Sequence, residues 1–391
     1  MNPGRAVLGT ILFLLTLPVA AQEAGELTAL LARIEGQVTL SSESRAELRS
    51  VRHAAQRQVL RGGTVVHVPA RALATLICST ETLVSLEGPQ DWVLDAASCG
   101  RGRPLPKSSY RNMTTYAGRI LPRSGALLLE FEPRGIETGL GPTLLRPRDT
   151  ATLDTHPRLV WTRVPEAFEY EIKLRGAVEM SITLAAGDLQ CGPGSGPWRH
   201  LDICSWSPSG KWPALKPEQP VSLSISFRPA ATASFRQVRE TWQVQLLSLD
   251  EQRSVQEALR QIAELPLDEA SRLLLTAGAY AGAGLNADAI AAYDEALQVQ
   301  EVPEARVTLA DLYLTAGLTA LAEREYRQAL KGASPAACAA AEFGLGQAAY
   351  FRRNFGDARA HFERAQEIYT SLGLPAEAES ARAAAARVHA L

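Results

Sequence analysis

The chain has 391 residues, 46% of them hydrophobic and 21% charged, a composition that supplies apolar material for packed cores and argues against a disordered polymer. With 40 basic and 42 acidic residues its formal charge is −2, which argues against a nucleic-acid binder that works by neutralising phosphates. The charge is unevenly divided: residues 250–391 hold 20 acidic and 13 basic side chains, net −7, leaving +5 for the rest, so at least two unlike modules are expected.

Residues 1–21 read as a secretory signal peptide. Arg5 precedes the apolar run Val7 to Leu17, and Pro18 and the small residues Val19, Ala20 and Ala21 follow it, with cleavage expected after Ala21. An uncleaved anchor is the other reading, but the run falls short of the roughly 20 apolar residues a membrane-spanning helix needs. A periplasmic or secreted protein without stable membrane insertion is therefore expected. Five cysteines suit that compartment. Cys78 with Cys99 and Cys191 with Cys204 suggest two local disulfides, and Cys338 stands apart on a helix. Zinc is the alternative for these cysteines, although none of the spacings is a CxxC.

Residues 28–100 alternate apolar and polar positions in short runs (Ile34, Val38, Leu40; Val65, Val66, Val68; Leu73, Leu76, Ile77; Leu83, Val84, Leu86, Trp92, Leu94), punctuated by Gly36, Gly62, Gly63, Pro69, Gly88 and Pro89. This predicts an all-β module. Its phrases Arg33-Ile34-Glu35-Gly36-Gln37-Val38, Leu60-Arg61-Gly62-Gly63-Thr64-Val65 and Ala72-Leu73-Ala74-Thr75-Leu76 resemble the periplasmic β domain of FecR-type proteins. The resemblance implies a β fold and, as one reading of function, ligand sensing in the envelope.

Residues 101–144 read as a basic linker. No acidic residue falls between Ala96 and Leu129, while Arg101, Arg103, Lys107, Arg111, Arg119 and Arg123 are all cationic. A solvated linker is one reading, and contact with an anionic envelope polymer is the sharper one.

Residues 145–249 return to a β pattern, with an apolar run at Leu159 to Trp161 and alternation at Phe168 to Leu174, Met180 to Leu184, Val221 to Phe227 and Trp242 to Leu246, which predicts a β-sandwich. The words Arg146-Pro147-Arg148-Asp149-Thr150, Pro157-Arg158-Leu159-Val160-Trp161 and Tyr170-Glu171-Ile172-Lys173-Leu174 resemble an immunoglobulin-like or fibronectin-III-like module. Between Ala185 and Pro220 the strand rhythm breaks into a Gly- and Pro-rich stretch holding Trp198, Trp206 and Trp212, with Cys191 and Cys204 as its staple. These tryptophans read either as sandwich core or as exposed stacking surfaces for sugars or peptides.

Residues 250–267 predict a bridging helix capped by Asp250. Beyond it one pattern is written three times. Ala277, Tyr280, Gly284, Ala289, Tyr293, Ala296 and Leu297 recur 33 residues later as Ala310, Tyr313, Gly317, Ala322, Tyr326, Ala329 and Leu330; a third copy, shifted by 36, keeps Gly346, Ala358, Phe362 and Ala365. The spacing predicts paired helices with small residues at crossing points and a ring filling each gap. The pattern resembles the tetratricopeptide repeat, over residues 268–370, with residues 375–391 as a capping helix. The overall expectation is a multidomain chain: an N-terminal FecR-like β domain, a β-sandwich and a C-terminal α-helical solenoid.

The repeat resemblance implies a groove lined from the first helix of each pair, here Leu274, Val307, Asp311, Leu314, Phe343, Gln347, Tyr350 and Phe351, holding a protein or peptide partner through apolar contacts. No catalytic motif emerges. Gly282 to Ala287 and Gly344 to Ala349 fit a loose dinucleotide fingerprint but lie inside the repeats without a preceding strand. Gly192 to Gly196 lacks the spacing of a nucleophile elbow. His200 and Asp202 form a pair without a third member. The expectation is therefore a non-enzymatic scaffold that needs no cofactor, with envelope attachment through the basic stretch as the alternative and an enzyme centred on His200 as the third possibility.

Overall fold

A computed structural model describes residues 28–42, 52–54, 59–78, 82–104, 141–176, 179–208, 210, 212–236 and 241–389. Residues 1–21, read from sequence as a signal peptide, and Lys107, Arg111, Arg119 and Arg123 lie outside the described residues. The described part has β-sheets toward its N-terminus and a run of helices toward its C-terminus.

The first module pairs two sheets. Strands β1 (Thr28–Glu35), β4 (Val59–Arg61), β6 (Leu73–Cys78), β7 (Thr82–Glu87) and β9 (Arg103–Pro104) form one, in the order β4-β1-β6-β7-β9. Strands β2 (Thr39–Ser42), β3 (Arg52–His53), β5 (Thr64–Val68) and β8 (Gln90–Val93) form the other, in the order β3-β2-β5-β8. Strand alternation sends Leu40, Val66 and Val68 inward to meet Ala29, Leu31, Ala74, Leu76 and Leu86 in one core. Gly36 turns β1 toward β2 at φ +81°, and a Cβ there would stand 2.9 Å from that of Ala72, so both its φ and its closeness to Ala72 call for glycine. Helix α1 (Ala96–Gly100) is capped by Asp95, which accepts from the Ser98 amide at 2.6 Å. That bond and the Ser98 hydroxyl hold the Asp95 carboxyl below its ordinary range. Cys99 on α1 is bonded to Cys78 on β6, tying the helix to its own sheet.

The second module is a sandwich with a shared core. Its smaller sheet runs β10-β12-β16-β15, from β10 (Leu144–Arg146), β12 (Leu159–Thr162), β15 (Gln190–Pro193) and β16 (Asp202–Trp206). Its larger sheet runs β11-β18-β17-β13-β14, from β11 (Thr150–Thr152), β13 (Glu169–Gly176), β14 (Met180–Ala185), β17 (Val221–Arg228) and β18 (Trp242–Leu246). Trp161, Tyr170, Ile172, Leu223, Phe227 and Trp242 fill the space between. Phe168, expected on a strand, sits just before β13 and is 49% exposed. The stretch after Ala185 is not an irregular loop: it holds β15 and β16, whose Cys191 and Cys204 face each other in register and are bonded. Gly and Pro mask this hairpin because they populate its tip, residues 194–201.

The helices are α2 (Leu249–Ala263), α3 (Glu269–Gly282), α4 (Asn286–Val299), α5 (Pro303–Thr315), α6 (Thr319–Ala329), α7 (Pro335–Phe351), α8 (Phe355–Ser371) and α9 (Pro375–His389). The cap of α2 is Ser248 rather than Asp250, because Ser248 and Glu251 form a reciprocal capping box that starts the helix two residues earlier. Asp268 caps α3 through the Ser271 amide at 3.0 Å. Gly284 and Gly317 take φ of +75° and +73° at the turns within pairs, where an L side chain would be strained. In α7 two glycines accept rings: a Cβ on Gly344 would lie 2.2 Å from the Tyr326 ring, and one on Gly346 would lie 2.7 Å from Phe362. Glycine inside a helix costs about 1 kcal/mol relative to alanine, and here that cost is offset by the burial of Tyr326 and Phe362, both 0% exposed. Among the described residues no helix is long and apolar enough to cross a membrane.

Candidate functional site

Two regions define the candidate site: the buried seam that mounts the helices on the sandwich, and the wall that carries the expected groove residues on α3, α5 and α7. The seam begins with strand alternation. Leu144, Leu159 and Trp161 point into the sandwich, whereas Leu145 and Val160 point outward and pack into the helical core. The smaller sheet is thus buried on both faces. Ile77 and Leu83, opposed across β6 and β7, join the same apolar cluster.

Polar anchors fix the register of the seam. Arg148 is 2% exposed; its Nε donates to the carbonyl of Ala316 and its Nη1 to that of Leu144 at 3.0 Å, and its guanidinium lies 5.4 Å from the Trp242 ring centre. Ala316 is the C-cap of α5, where unpaired carbonyls carry partial negative charge, so a buried cation belongs there. At the turn between α3 and α4, the Asn286 amide donates to the Thr150 hydroxyl at 2.9 Å and the Ala151 amide to the Gly284 carbonyl at 3.0 Å. Arg146 pairs with Asp288 at 2.8 Å.

The hairpin tip is the third anchor. Gly194 permits its closure, since a Cβ would stand 2.1 Å from the Trp198 carbonyl oxygen. Trp198, 7% exposed, sets its ring 6.0 Å from that of Tyr313, whose hydroxyl donates to the Pro197 carbonyl at 3.4 Å. Burial, followed by the charges of Glu325 and Asp294, pushes the Tyr313 phenol well above its ordinary range. Next to it Arg199 pairs with buried Asp294. Trp198 therefore serves as neither sandwich core nor exposed stacking surface, because it is spent on the helices. His200 is exposed, and desolvation together with the Arg324 and Arg199 charges holds its pKa below the ordinary histidine value. Asp202 pairs with Arg163 at 3.4 Å.

The eight residues on the helical wall divide sharply. Leu274, Val307, Leu314, Phe343, Gln347 and Phe351 are each less than a tenth exposed, while Asp311 and Tyr350 are half-buried. Phe343 is spent inside, its ring 5.1 Å from that of Phe362 on α8. The surface offered is therefore polar at Asp311 and aromatic at Tyr350, which leans on Phe351 and Phe355 at 6.0 and 5.9 Å.

Behind that surface lies a polar cluster that the sequence did not signal. Asp311 accepts from the Tyr326 hydroxyl at 2.5 Å. Its charge, after burial, raises the phenol pKa values of Tyr293, Tyr326 and Tyr369. Gln347 occupies on α7 the place that Asp311 occupies on α5, one repeat earlier, and the two helices touch. The Gln347 Nε2 on α7 and the Tyr369 hydroxyl on α8 are buried without a hydrogen-bond partner. A groove of about 480 Å³ lies farther along, between α8 and α9, lined by Gln366, Thr370, Leu374, Ala378, Glu379 and Arg382.

Arg101 and Arg103, at the end of the first module, are exposed. Among the described residues no group of three or more His, Cys, Asp or Glu side chains is placed to hold a metal ion. The two disulfides are the structural support for an oxidising, extracytoplasmic location. Neither a protein-family model nor a curated protein sequence matches the chain.

Proposed function

We propose that this chain is an exported scaffold in which a FecR-like module and an immunoglobulin-like or fibronectin-III-like sandwich mount a tetratricopeptide array that docks a peptide segment of a protein partner. The observation that carries the reading is that Asp311 and Tyr350 are the two of the eight expected groove residues left partly exposed on the helical wall. An extended peptide offers amide N–H donors for the Asp311 carboxylate and side chains for the Tyr350 ring. The rigid seam suits this role, because a preorganised wall loses little conformational freedom on binding.

A photo-reactive residue placed at position 350, and separately at Thr370 in the groove between α8 and α9, tests the assignment in the native cells. Cross-links to a defined protein from position 350, lost when Asp311 is replaced by Asn in a folded variant, support the wall. Cross-links only from position 370 move the docking site to the end groove. Tyr350→Ala, checked to be folded because its half-buried ring also packs on Phe351 and Phe355, serves as the binding variant, whereas buried Phe351 is unsuited, its truncation costing about 3–5 kcal/mol.

Exposed Arg101 and Arg103 favour a second reading, attachment to an anionic envelope polymer. Co-sedimentation with such a polymer that collapses between low and physiological salt would support it, since surface charge pairs are screened beyond about 8 Å at physiological ionic strength.

A further inference from the structure

The sheet β3-β2-β5-β8 of the first module has a solvent-facing side. With Leu40, Val66 and Val68 directed into the core, alternation turns Ser41, His67 and Asp91 outward. His67 stands directly opposite Asp91, and Ser41, opposite Val65, is its diagonal neighbour. The Ser41 Oγ lies 2.7 Å from His67 Nε2, and His67 Nδ1 lies 2.8 Å from Asp91 Oδ1. The Asp91 carboxylate is acceptor only, so Nδ1 carries the proton. In the neutral ring Nε2 is then left as the acceptor for the Ser41 hydroxyl. That is the order of contacts by which a histidine, held in one tautomer by a carboxylate, draws a proton from a serine.

We propose that Ser41, His67 and Asp91 form an acyl-transfer site that hydrolyses small or chain-terminal carboxylic esters, an activity separate from partner docking. Ser41 Oγ attacks the ester carbonyl carbon while His67 Nε2 takes the hydroxyl proton. The tetrahedral adduct collapses with cleavage of the carbon–oxygen bond, and the departing alcohol takes that proton from His67. Water then attacks the acyl-serine, passing a proton to Nε2; as the carboxylic acid leaves, the proton returns to Ser41 Oγ. One ester and one water give one acid and one alcohol. Ser41 and His67 touch the reacting atoms, and Asp91 is a positioning residue. The His67 and Asp91 side chains are 30% and 69% exposed. The site lies open on a sheet face, so it fits a short acyl group rather than a long chain needing a tunnel.

The competing role is a polar ladder that ties β2, β5 and β8 together. A ladder reacts with nothing, which makes covalent capture the deciding readout. The full chain, with both disulfides intact, is treated with a fluorophosphonate probe and mapped by mass spectrometry, and p-nitrophenyl acetate hydrolysis is followed in parallel. The expected result is label on Ser41 and turnover about 100-fold or more above Ser41→Ala, the lower end of what a positioned general base contributes. His67→Gln should lose both, and Asp91→Asn should lower the rate of labelling while leaving the labelled residue unchanged. A folded chain that takes no label at Ser41, or a His67→Gln variant labelled at the parent rate, overturns the proposal. Should a variant fail to fold, the labelling site in the parent chain decides alone.

Discussion

The chain carries two local disulfides of similar span, 21 and 13 residues apart in sequence, that serve different ends. Cys78–Cys99 ties α1 to β6 and closes the first module on itself. Cys191–Cys204 sits at the root of a hairpin whose tip leaves its own sandwich and lodges Trp198 against Tyr313 of the helices. A cross-link of one kind thus completes a core in one module and stiffens a clamp between modules in the other. Stability of the seam should follow the second disulfide and be indifferent to the first.

Removing the wedge itself sharpens that contrast most. Trp198→Ala deletes a buried indole and its ring contact, a loss of about 3–5 kcal/mol. Arg148→Ala should cost about 3 kcal/mol, since it strands the Ala316 and Leu144 carbonyls in a buried seam. Each should split a single unfolding transition, followed by calorimetry of the full chain, into a β step and a helical step. A single transition with unchanged midpoint in Trp198→Ala would show that the hairpin tip is not what couples them.

Replacing each cysteine pair by serine is the next test. Loop-closure entropy gives both bridges about 3 kcal/mol, so the magnitudes are nearly equal and the location of the effect discriminates. Loss of Cys191–Cys204 should raise amide exchange on α4 and α5, where Asp294 and Tyr313 receive the tip. Loss of Cys78–Cys99 should leave those helices protected and loosen α1 and β7. Equal deprotection of α5 in both variants would erase the distinction.

Much of this architecture was legible in sequence because alternation and repeat spacing are local signals. The strands around Leu159, Tyr170, Met180, Val221 and Trp242, the positive-φ turns at Gly284 and Gly317 and the pairing of four cysteines all follow from neighbours within a few turns of chain. What was not legible depends on what packs against an element from far away. Trp198 gives no sign that its partner is Tyr313, and Arg148 reads as one more surface arginine until the C-terminus of α5 arrives beside it. The spacing of the helical wall marks a shared face, yet cannot say that Phe343 turns to Phe362 or that Gln347 is buried. Ser41, His67 and Asp91 are separated by 26 and 24 residues, with no local motif. Alternation directs all three outward, but only the strand order β2-β5-β8 makes them neighbours.

The smallest expected effect tests whether every charge at the seam helps hold it. Asp288 pairs with Arg146, yet burial outweighs that attraction and raises its carboxyl pKa above the ordinary value. The sign follows directly. A carboxyl whose folded pKa lies above its unfolded one binds more protons when folded, so stability falls as pH rises from the unfolded value, about 3.9, through the folded value. Asp288→Asn removes that loss while keeping an acceptor for Arg146. Because the Arg146 side chain is 41% exposed, solvent screens the pair and the change at neutral pH should stay within about 1 kcal/mol. Denaturant midpoints of parent and variant, measured through the pH range just above 3.9, should converge at the acid end and separate in the variant's favour as pH rises. A variant that weakens relative to the parent as pH rises would mean that the pair is a net attraction, and that the half-buried carboxylate belongs with Arg148 among the groups that hold the sandwich to the helices.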